Sequence, residues 1–462
     1  MSEHKETQQN PLGTAPVGKL MLKLAAPAVA AQLVNALYNI VDRMYIGHMA
    51  DGGDLALTGL GVCFPIIIFI SALSALAGVG GGSRAAIRMG AGDMDGAEDI
   101  LGGCTALLVV MALLATVGFQ LFRDPLLLLF GASENTLPYA SGYLRIYLWG
   151  SISVLFSIGL NNFITTQGFS FFSMMTVIIG AVCNIVLDPI LIFGLHMGVQ
   201  GAALATILSQ TVSAVWVVFF LIGKKTLLRL RWSKLRLKKE VLLPVIAIGV
   251  SPFIMQSTES LVSIAFNTSL KAYGGDVYVG AMTIATSVMQ VASMPLHGIS
   301  QGAQPIVGFN YGAGNFDRVK KAFRLLLTSC VICTCVIWAM SEFCPDLFIA
   351  LFNDKPELVD VARRTIRVYM AGMFAFGVQS SCQQTFVALG QAKISLFLAL
   401  LRKIILLIPL IFILPQFLAD KVFAVWLAEP IADILAAATT GIMFAIRFPK
   451  ILKQRENEIH KG

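Results

Sequence analysis

The sequence predicts an all-α membrane protein of about twelve transmembrane helices, grouped in two pseudo-symmetric six-helix bundles, and three observations predict it. The 462 residues are 56% hydrophobic and only 13% charged, where ordinary soluble domains carry about 25% charged residues; mean hydropathy is +0.78. Apolar runs of roughly 20 residues or more recur along the whole chain, long enough to cross a bilayer core. The second half repeats the first at a fixed offset. Backbone groups in lipid must pair internally, so runs of this length are helices; a β-barrel would need short alternating strands, which the pattern lacks.

The elements follow in order. Residues 1–19 read as a polar cytoplasmic tail without the basic patch, apolar core and small-residue cleavage site of a signal peptide. Charged punctuation then delimits spans at 20–47, 55–83, 100–122, 143–167, 170–194 and 198–223, a first lobe over 20–223. A basic linker over 224–241 follows, where Lys224, Lys225, Arg229, Arg231, Lys234, Arg236, Lys238 and Lys239 have no acid among them. Spans at 242–271, 277–308, 320–343, 365–390, 394–418 and 422–446 make a second lobe over 242–447, and 448–462 is a cytoplasmic tail. Arg318, Lys320, Lys321 and Arg324 crowd the linker's side of the membrane, whereas Asp51, Asp54, Asp124, Glu134, Asp346, Asp354, Glu357 and Asp360 mark the other. Short loops rich in Lys and Arg stay in the cytoplasm, so both termini are expected inside. The net charge of +8 thus reads as topology and not as affinity for nucleic acid, and the linker as a solvated loop with no further role.

A shift of 222 residues, from Gly90 to Gly312, superimposes the halves without a gap. Gly52-Gly53 then meets Gly274-Gly275, Gly80 meets Gly302, and Gly90-Ala91-Gly92 meets Gly312-Ala313-Gly314, with Asp95 on Asp317. Asp124 meets Asp346, Leu129-Phe130 meets Leu351-Phe352, and Arg145, Tyr147, Gly150 and Gly168 meet Arg367, Tyr369, Gly372 and Gly390. Chance matching of apolar letters is easy in such a chain; glycine and polar identities held through loops at one offset are not. Six spans per half is an even number, so both halves cross in the same direction about an axis along the membrane normal. Proteins built this way hold a substrate in the cleft between halves.

An ionised carboxylate in hydrocarbon is costly, so an acid inside a span faces the protein interior and usually has a task. Asp42, Asp188 and Glu259 meet that description. In the first span Gln32, Asn35, Asn39 and Asp42 are spaced by three, four and three, which sets them on one inward face. Asn35 is a candidate for contacting substrate, Asn39 and Asp42 for a coupling ion. In the fifth span Asn184 and Asp188 are four apart and Pro189 follows directly, removing a backbone donor. Both spans run outward, so Asp42 and Asp188 sit at matching depth, roughly 8–9 Å below the outer surface, and could meet. Two neighbouring carboxylates cannot readily both ionise, which suits such a pair to exchanging a proton near neutral pH. The plainer alternative pairs Asp42 with Arg43 and leaves Asp188 bonding backbone freed by Pro189. The offset sets Ile264 and Leu410 opposite these acids, so the carboxylate pair belongs to the first half alone.

Glu259 lies near mid-membrane on a stripe with Gln256, Ser263 and Asn267; it suits a cationic substrate or an ion, or else simple packing. Met282, Thr286, Met289 and Gln290 in the eighth span, and Gln379 and Gln383 in the tenth, are candidates to line the same cleft. His297, between Pro295 and Gly298, is expected to pack, as are Cys330, Cys333 and Cys335, which lack His or acid neighbours; no metal centre is expected. Arg402 and Lys403 are expected to snorkel to the cytoplasmic surface.

Several of these residues carry a likeness. Asn39-Ile40-Val41-Asp42 with Ile46-Gly47, Leu187-Asp188-Pro189 followed by Gly198, Gly201, Ala202, Ala203, Ala205 and Thr206, the paired Gly-Ala-Gly loops, and the run from Gln304 to Gly312 resemble the multidrug and toxic compound extrusion (MATE) transporters. The likeness covers nearly the whole chain and is nearest to the bacterial MepA-like and DinF-like branch. It implies a V-shaped pair of six-helix lobes that exports drug-like, often cationic compounds in exchange for inward H⁺ or Na⁺. It also implies that Asp42, Asn184, Asp188 and Thr206 match a first-lobe coupling site, which could take Na⁺ at Asp42, Asn184 and Asp188, and that Glu259 matches an acidic position of some members. Some sodium-coupled members carry a second acid in the tenth span; only Gln379 and Gln383 stand there, which favours the first lobe for coupling.

The expectation is therefore a multi-pass plasma-membrane antiporter, monomeric, without an organic cofactor, whose partners are the bilayer and small drug-like molecules. A flippase for lipids or lipid-linked oligosaccharides is the alternative, but a carrier of anionic lipids would place Arg or Lys mid-span where this chain has acids and amides. A membrane enzyme would need a nucleophile–base constellation or an H-E-x-x-H motif, and neither is found.

Overall fold

The computed structural model describes residues 10–49, 53–350 and 356–461; Asp51, Gly52, the Leu351-Phe352 half of one repeat match, Asp354 and tail residues 1–9 lie outside the described residues. A short helix α1 (Pro11–Thr14) precedes α2 (Val17–Gly47), α3 (Gly53–Gly90) and α4 (Met94–Leu129). The fourth crossing is broken into α5 (Leu137–Trp149), α6 (Ser151–Gly159) and α7 (Asn161–Thr166); α8 (Ser170–Pro189) runs on through a π-helical turn at Ile190–Gly194, and α9 (Val199–Ile222) ends the first lobe. The second lobe holds α10 (Lys239–Tyr273), α11 (Asp276–Gly312), α12 (Phe316–Phe343), the short α13 (Pro345–Ile349), α14 (Pro356–Tyr369) and α15 (Met373–Ala388). It ends with α16 (Ala392–Leu400), a π-helical stretch at Leu401–Leu407, α17 (Ile408–Phe417) and α18 (Lys421–Lys461).

Among the described residues ten helices are long and apolar enough to cross a membrane, and the pair 137–149 and 151–166, bent by 60°, makes an eleventh. The tenth predicted span, placed at 365–390, corresponds to the broken pair α14–α15, whose first member carries Asp360, Arg363, Arg364 and Arg367. Both breaks fall on glycines related by the repeat. A Cβ on Gly150 would stand 2.4 Å from the Ile207 side chain, and one on Gly372 would stand 2.7 Å from the Pro430 Cα. Residues 448–461 of the expected tail continue α18 as helix, where an Arg455–Glu458 pair one turn apart supports it.

The lobes meet through α2 and α3 on one side and α10 and α11 on the other, and the repeat reappears in the contact. A Cβ on Gly90 would lie 1.9 Å from the Phe309 carbonyl oxygen, and one on Gly312 would lie 2.0 Å from that of Ile87. Gly80 and Gly249 approach the backbone of Val245 and Leu76, while Gly298 and Gly302 approach Val29 and Ala25. All of these belong to the halves of the helices nearest the linker, as does the Gln304–Ser83 hydrogen bond of 2.8 Å. At this linker end α1 is wedged between the lobes: buried Leu12 touches Gly168, and its carbonyl accepts from Asn310 and Arg318. Toward the far end polar side chains stand exposed within the spans, namely Asn35 and Asn39 on α2, Gln256, Glu259, Ser263 and Asn267 on α10, and Thr283, Gln290 and His297 on α11. Lipid does not tolerate such stripes, so they line a cleft that opens away from the linker, and the pair of bundles forms a V.

The linker, expected to be a solvated loop with no further role, is instead held against the first lobe. Lys234 reaches Asp95 at 2.5 Å and Glu98 and Asp99 at 3.4 Å, Arg231 reaches Glu98 at 3.1 Å, and Lys238 reaches Asp99 at 2.9 Å, so the strap is pinned to the start of α4. Burial opposes the Lys234 charge, but its hydrogen bonds to Asp95 and Asp99 outweigh that and hold the ammonium above its ordinary value. Leu228 is fully buried, and the Gln167 Oε1 accepts from Thr226 Oγ1 and the Leu227 and Leu228 N–H groups.

Candidate functional site: a polar chamber and a charge cluster

Helices α2, α5–α9 and the edge of α3 enclose a chamber of about 520 Å³ in the first lobe. From α2 it takes Gln32, Asn35, Tyr38, Asn39 and Asp42, each a turn or less from the next, so that one face of this helix supplies one wall. From α8 and α9 it takes Asn184 and Thr206. The Asp42 carboxyl lies within hydrogen-bonding reach of that of Asp188. Asn184 donates to Asp188 Oδ1 at 3.3 Å, one turn back on the same face. Asp188 is wholly buried. Asp42 Oδ1, Asp188 Oδ2 and Asn184 Oδ1 are buried with no partner among the described residues, so this corner is built to receive something that donates a hydrogen bond or carries positive charge. The nearest cation, Arg43, lies over the Phe64 ring, 4.7 Å from its centroid. Asn39 donates to the Asn35 carbonyl at 2.7 Å and Thr206 to that of Ala202 at 3.0 Å.

Asp42, Asn184, Asn39, Thr206, Asn35 and Gln256 thus line one chamber, although Gln256 reaches it from the other lobe, and Asp188 is buried just behind its wall. Sequence reasoning missed Tyr38 and Tyr143, which face Asp42, and Tyr147, stacked on Tyr143 at 6.0 Å. Tyr38 falls between Asn35 and Asp42 at helical spacing, and that was the available signal.

Glu259 faces the open cleft from the second lobe, its side chain 58% exposed, and binds Lys403 behind it; Lys403 also donates to the Met255 carbonyl at 3.0 Å. His297 is within electrostatic range of both. The expectation that Arg402 and Lys403 snorkel is wrong: both side chains are buried. Arg402 bonds Asp433 at 2.7 Å and Glu429 at 2.9 Å and lies over the Phe376 ring. The π-helical stretch that contains both cations turns them inward, and Glu429 and Asp433, one turn apart on α18, receive Arg402. Met282 and Gln383, expected to line the cleft, are instead packed inside the second lobe, Gln383 donating to Ser251 and Met255 Sδ. Gln379 is buried there too. Met289 is half-buried against the core, and Thr286 donates to the Thr283 carbonyl. Among the described residues no cluster of three His, Cys, Asp or Glu side chains could hold a metal ion.

A family model described as MatE matches residues 27–190 and 252–413, one stretch in each lobe. The chain is 25% identical over 420 residues to the multidrug export protein MepA of Staphylococcus haemolyticus, covering 90% of this chain and 92% of that one. It is also 25% identical over 444 residues to MepA of Staphylococcus aureus, covering 94% and 95%. Its fold superposes with a TM-score of 0.90 on an outward-facing multidrug resistance MATE family transporter of the MOP superfamily, at 23% identity over 96% of this chain and 99% of that one. A MOP superfamily transporter from Pyrococcus furiosus, described by the reverse polarity of its binding pocket, superposes with a TM-score of 0.89 at 23% identity over 96% and 99%.

Proposed function

The chain belongs to the MatE family, and from that premise we propose that it is a multidrug efflux antiporter that exports lipophilic, often cationic compounds in exchange for H⁺ and/or Na⁺ by alternating access. The lobes are 20–223 and 242–447, and the linker and both termini face the cytoplasm of a plasma-membrane monomer. The observation that carries the reading is the Asp42–Asp188 pair, two carboxyls within reach of each other and, among the described residues, without an ion-pair partner. Like charges so placed favour one shared proton, or one Na⁺ with Asn184 as a further ligand.

In the outward-open V the pair takes its ion from the far side. Neutralisation removes the repulsion between α2 and α8, α2 shifts, and the drug bound between Asn35, Gln256 and Glu259 is released. Resetting requires that ion and drug prefer different states, since a ligand with equal affinity for both shifts nothing. Asn39 and Thr206 hold the walls of the coupling site. Relatives named for multidrug export support the cargo class.

The test is uptake of tetraphenylphosphonium by proteoliposomes under an imposed pH gradient or Na⁺ gradient separately. Transport driven by one or both is expected; transport driven by neither overturns the reading. Transport of an anionic lipid instead would favour the flippase alternative.

A further inference from the structure

The chamber does not stop at the aspartates. Along α8 the residues Ser170, Ser173, Thr176, Gly180, Asn184 and Asp188 recur at three- and four-residue spacing on one face, and all but Asp188 line the chamber. From Asp188 to Ser170 that face spans about 27 Å, close to a bilayer core.

The half nearest the linker is a hydroxyl and amide ladder. Thr176 Oγ1 donates to Asn161 Oδ1 at 3.1 Å, Thr165 Oγ1 donates to Ser173 Oγ at 2.8 Å, and Ser213 Oγ donates to the Thr176 carbonyl at 3.0 Å. Among the described lining residues the only charged ones are Asp42 and Arg43, both at the far end. At the linker end Ser170 Oγ is buried without a partner, matching the unpartnered Asn184 Oδ1 and Asp188 Oδ2 at the other. Both ends therefore call for an occupant that hydrogen-bonds, and water meets that need in a polar space of this size. Midway, a Cβ on Gly180 would stand 2.5 Å from Ser213 Oγ, so glycine lets the Ser213 hydroxyl approach the α8 backbone closely there. Three residues before Ser170, Gln167 grips linker residues 226–228, so this end of α8 abuts the linker.

We propose that the hydroxyl-lined half of the first-lobe chamber, from Asn184 to Ser170, conducts the coupling proton between the Asp42–Asp188 pair and the linker face without entering the cleft the drug uses. This rests on the proton-coupled form of the antiporter reading. Each hydroxyl or bound water accepts one proton and passes on another, so no group along the path changes charge; one proton leaves the aspartates and one emerges at the linker face. The titratable groups facing the pair are Tyr38 and Arg43 from α2 and Tyr143 from α5; Tyr147, one turn further along α5, also lines the chamber, and among the described lining residues no carboxylate or cation lies further down the path. Drug and proton then have separate routes to the linker side, the drug through the cleft between the lobes and the proton through the first lobe, and the cleft can stay shut at the linker end while the proton leaves.

Ser173→Leu blocks the path, Thr176→Val removes one hydroxyl at nearly constant volume, and Thr176→Ser restores it. The full chain in proteoliposomes, with an internal pH dye and tetraphenylphosphonium as probe, reports proton-driven exchange; the probe's equilibrium affinity is measured in detergent. Exchange should fall at least about tenfold in Ser173→Leu and about threefold in Thr176→Val, recover in Thr176→Ser, and leave affinity within about twofold throughout. Undiminished exchange in both Ser173→Leu and Thr176→Val overturns the proposal while leaving antiport standing. Affinity losses as large as the exchange losses overturn it as well, because the drug would then occupy this half. Exchange in the unaltered protein that follows a Na⁺ gradient but never a pH gradient overturns the path together with proton coupling.

Discussion

The two lobes share a frame and differ in charge. Each breaks one crossing at the glycine matched by the repeat, Gly150 or Gly372, and each contributes one glycine, Gly90 or Gly312, to the same mutual contact at the linker end. Each also sets its ionisable groups beside a π-helical turn, Asp188 just before Ile190–Gly194 and Arg402 and Lys403 within Leu401–Leu407. In the first lobe two acids face each other without an ion-pair partner among the described residues. In the second, Glu259, Glu429 and Asp433 are met by Lys403 and Arg402. Like charges left unpaired bind and release a cation readily; charges paired in the protein interior hold each other in place. The difference teaches that a helical frame can be duplicated while an acidic pair without a counter-cation stays in one lobe.

The sharpest break in that comparison comes from Asp42→Asn and Asp188→Asn. Each should lower gradient-driven efflux by about two orders of magnitude, the scale of losing a required proton-transfer group, with folding judged by thermal denaturation in detergent nearly unchanged. Full activity in both variants would end the assignment of coupling to the first lobe. In the second lobe the large effect should fall on stability. Arg402→Met leaves Glu429 and Asp433 buried and unpaired, and breaking such a pair costs about 3–5 kcal/mol, to be read from the unfolding midpoint. The triple change with Glu429→Gln and Asp433→Asn should recover most of that loss.

The contrast was only half legible in the sequence. Asp42 and Asp188 could be read because amides at helical spacing mark the inward face and Pro189 marks a disturbance within its span. The six-plus-six frame could be read because glycines hold one offset through the loops. Arg402 could not: a snorkelling cation and a paired one have the same sequence, and the π-helical stretch that turns it inward has no composition of its own. Glu429 and Asp433, four apart within the last span, were the missed signal. The hydroxyl ladder left still less trace, since Ser and Thr on helices often bond their own backbone a turn back, as Thr206 and Thr165 do here.

The shared frame can be tested by itself. Gly90→Ala and Gly312→Ala each push a methyl into a backbone carbonyl of the other lobe. Overpacking of this kind costs about 1–3 kcal/mol, and here the cost falls on the conformation closed at the linker end. Thiol labelling of a cysteine placed near Leu12 should therefore rise in both variants, and to a similar extent. A large effect from one glycine and none from the other would mean that the contact is less symmetric than the repeat.

The smallest effect concerns the strap that joins the lobes. Lys234 has its charge favoured by folding, so its contribution is complete below the ordinary lysine range and fades only as pH rises through its higher folded value. Asp93, the side-chain cap of α4, is shifted the other way: the Gly96 N–H bond leads, burial opposes it and Arg88 adds to it, so its contribution is present above the ordinary carboxylate value and is lost in stronger acid. Between about pH 5 and 9 neither group changes charge. Trypsin cleavage at Arg229, Arg231 and Arg236 should thus proceed at the same intrinsic rate across the neutral range once the protease's own pH profile is divided out. Lys234→Met should raise that rate roughly fivefold, the equivalent of about 1 kcal/mol for a partly exposed ion-pair network. A strap that instead loosened between pH 6 and 8 would offer a second source for pH-dependent efflux and would weaken the case for confining proton sensitivity to Asp42 and Asp188.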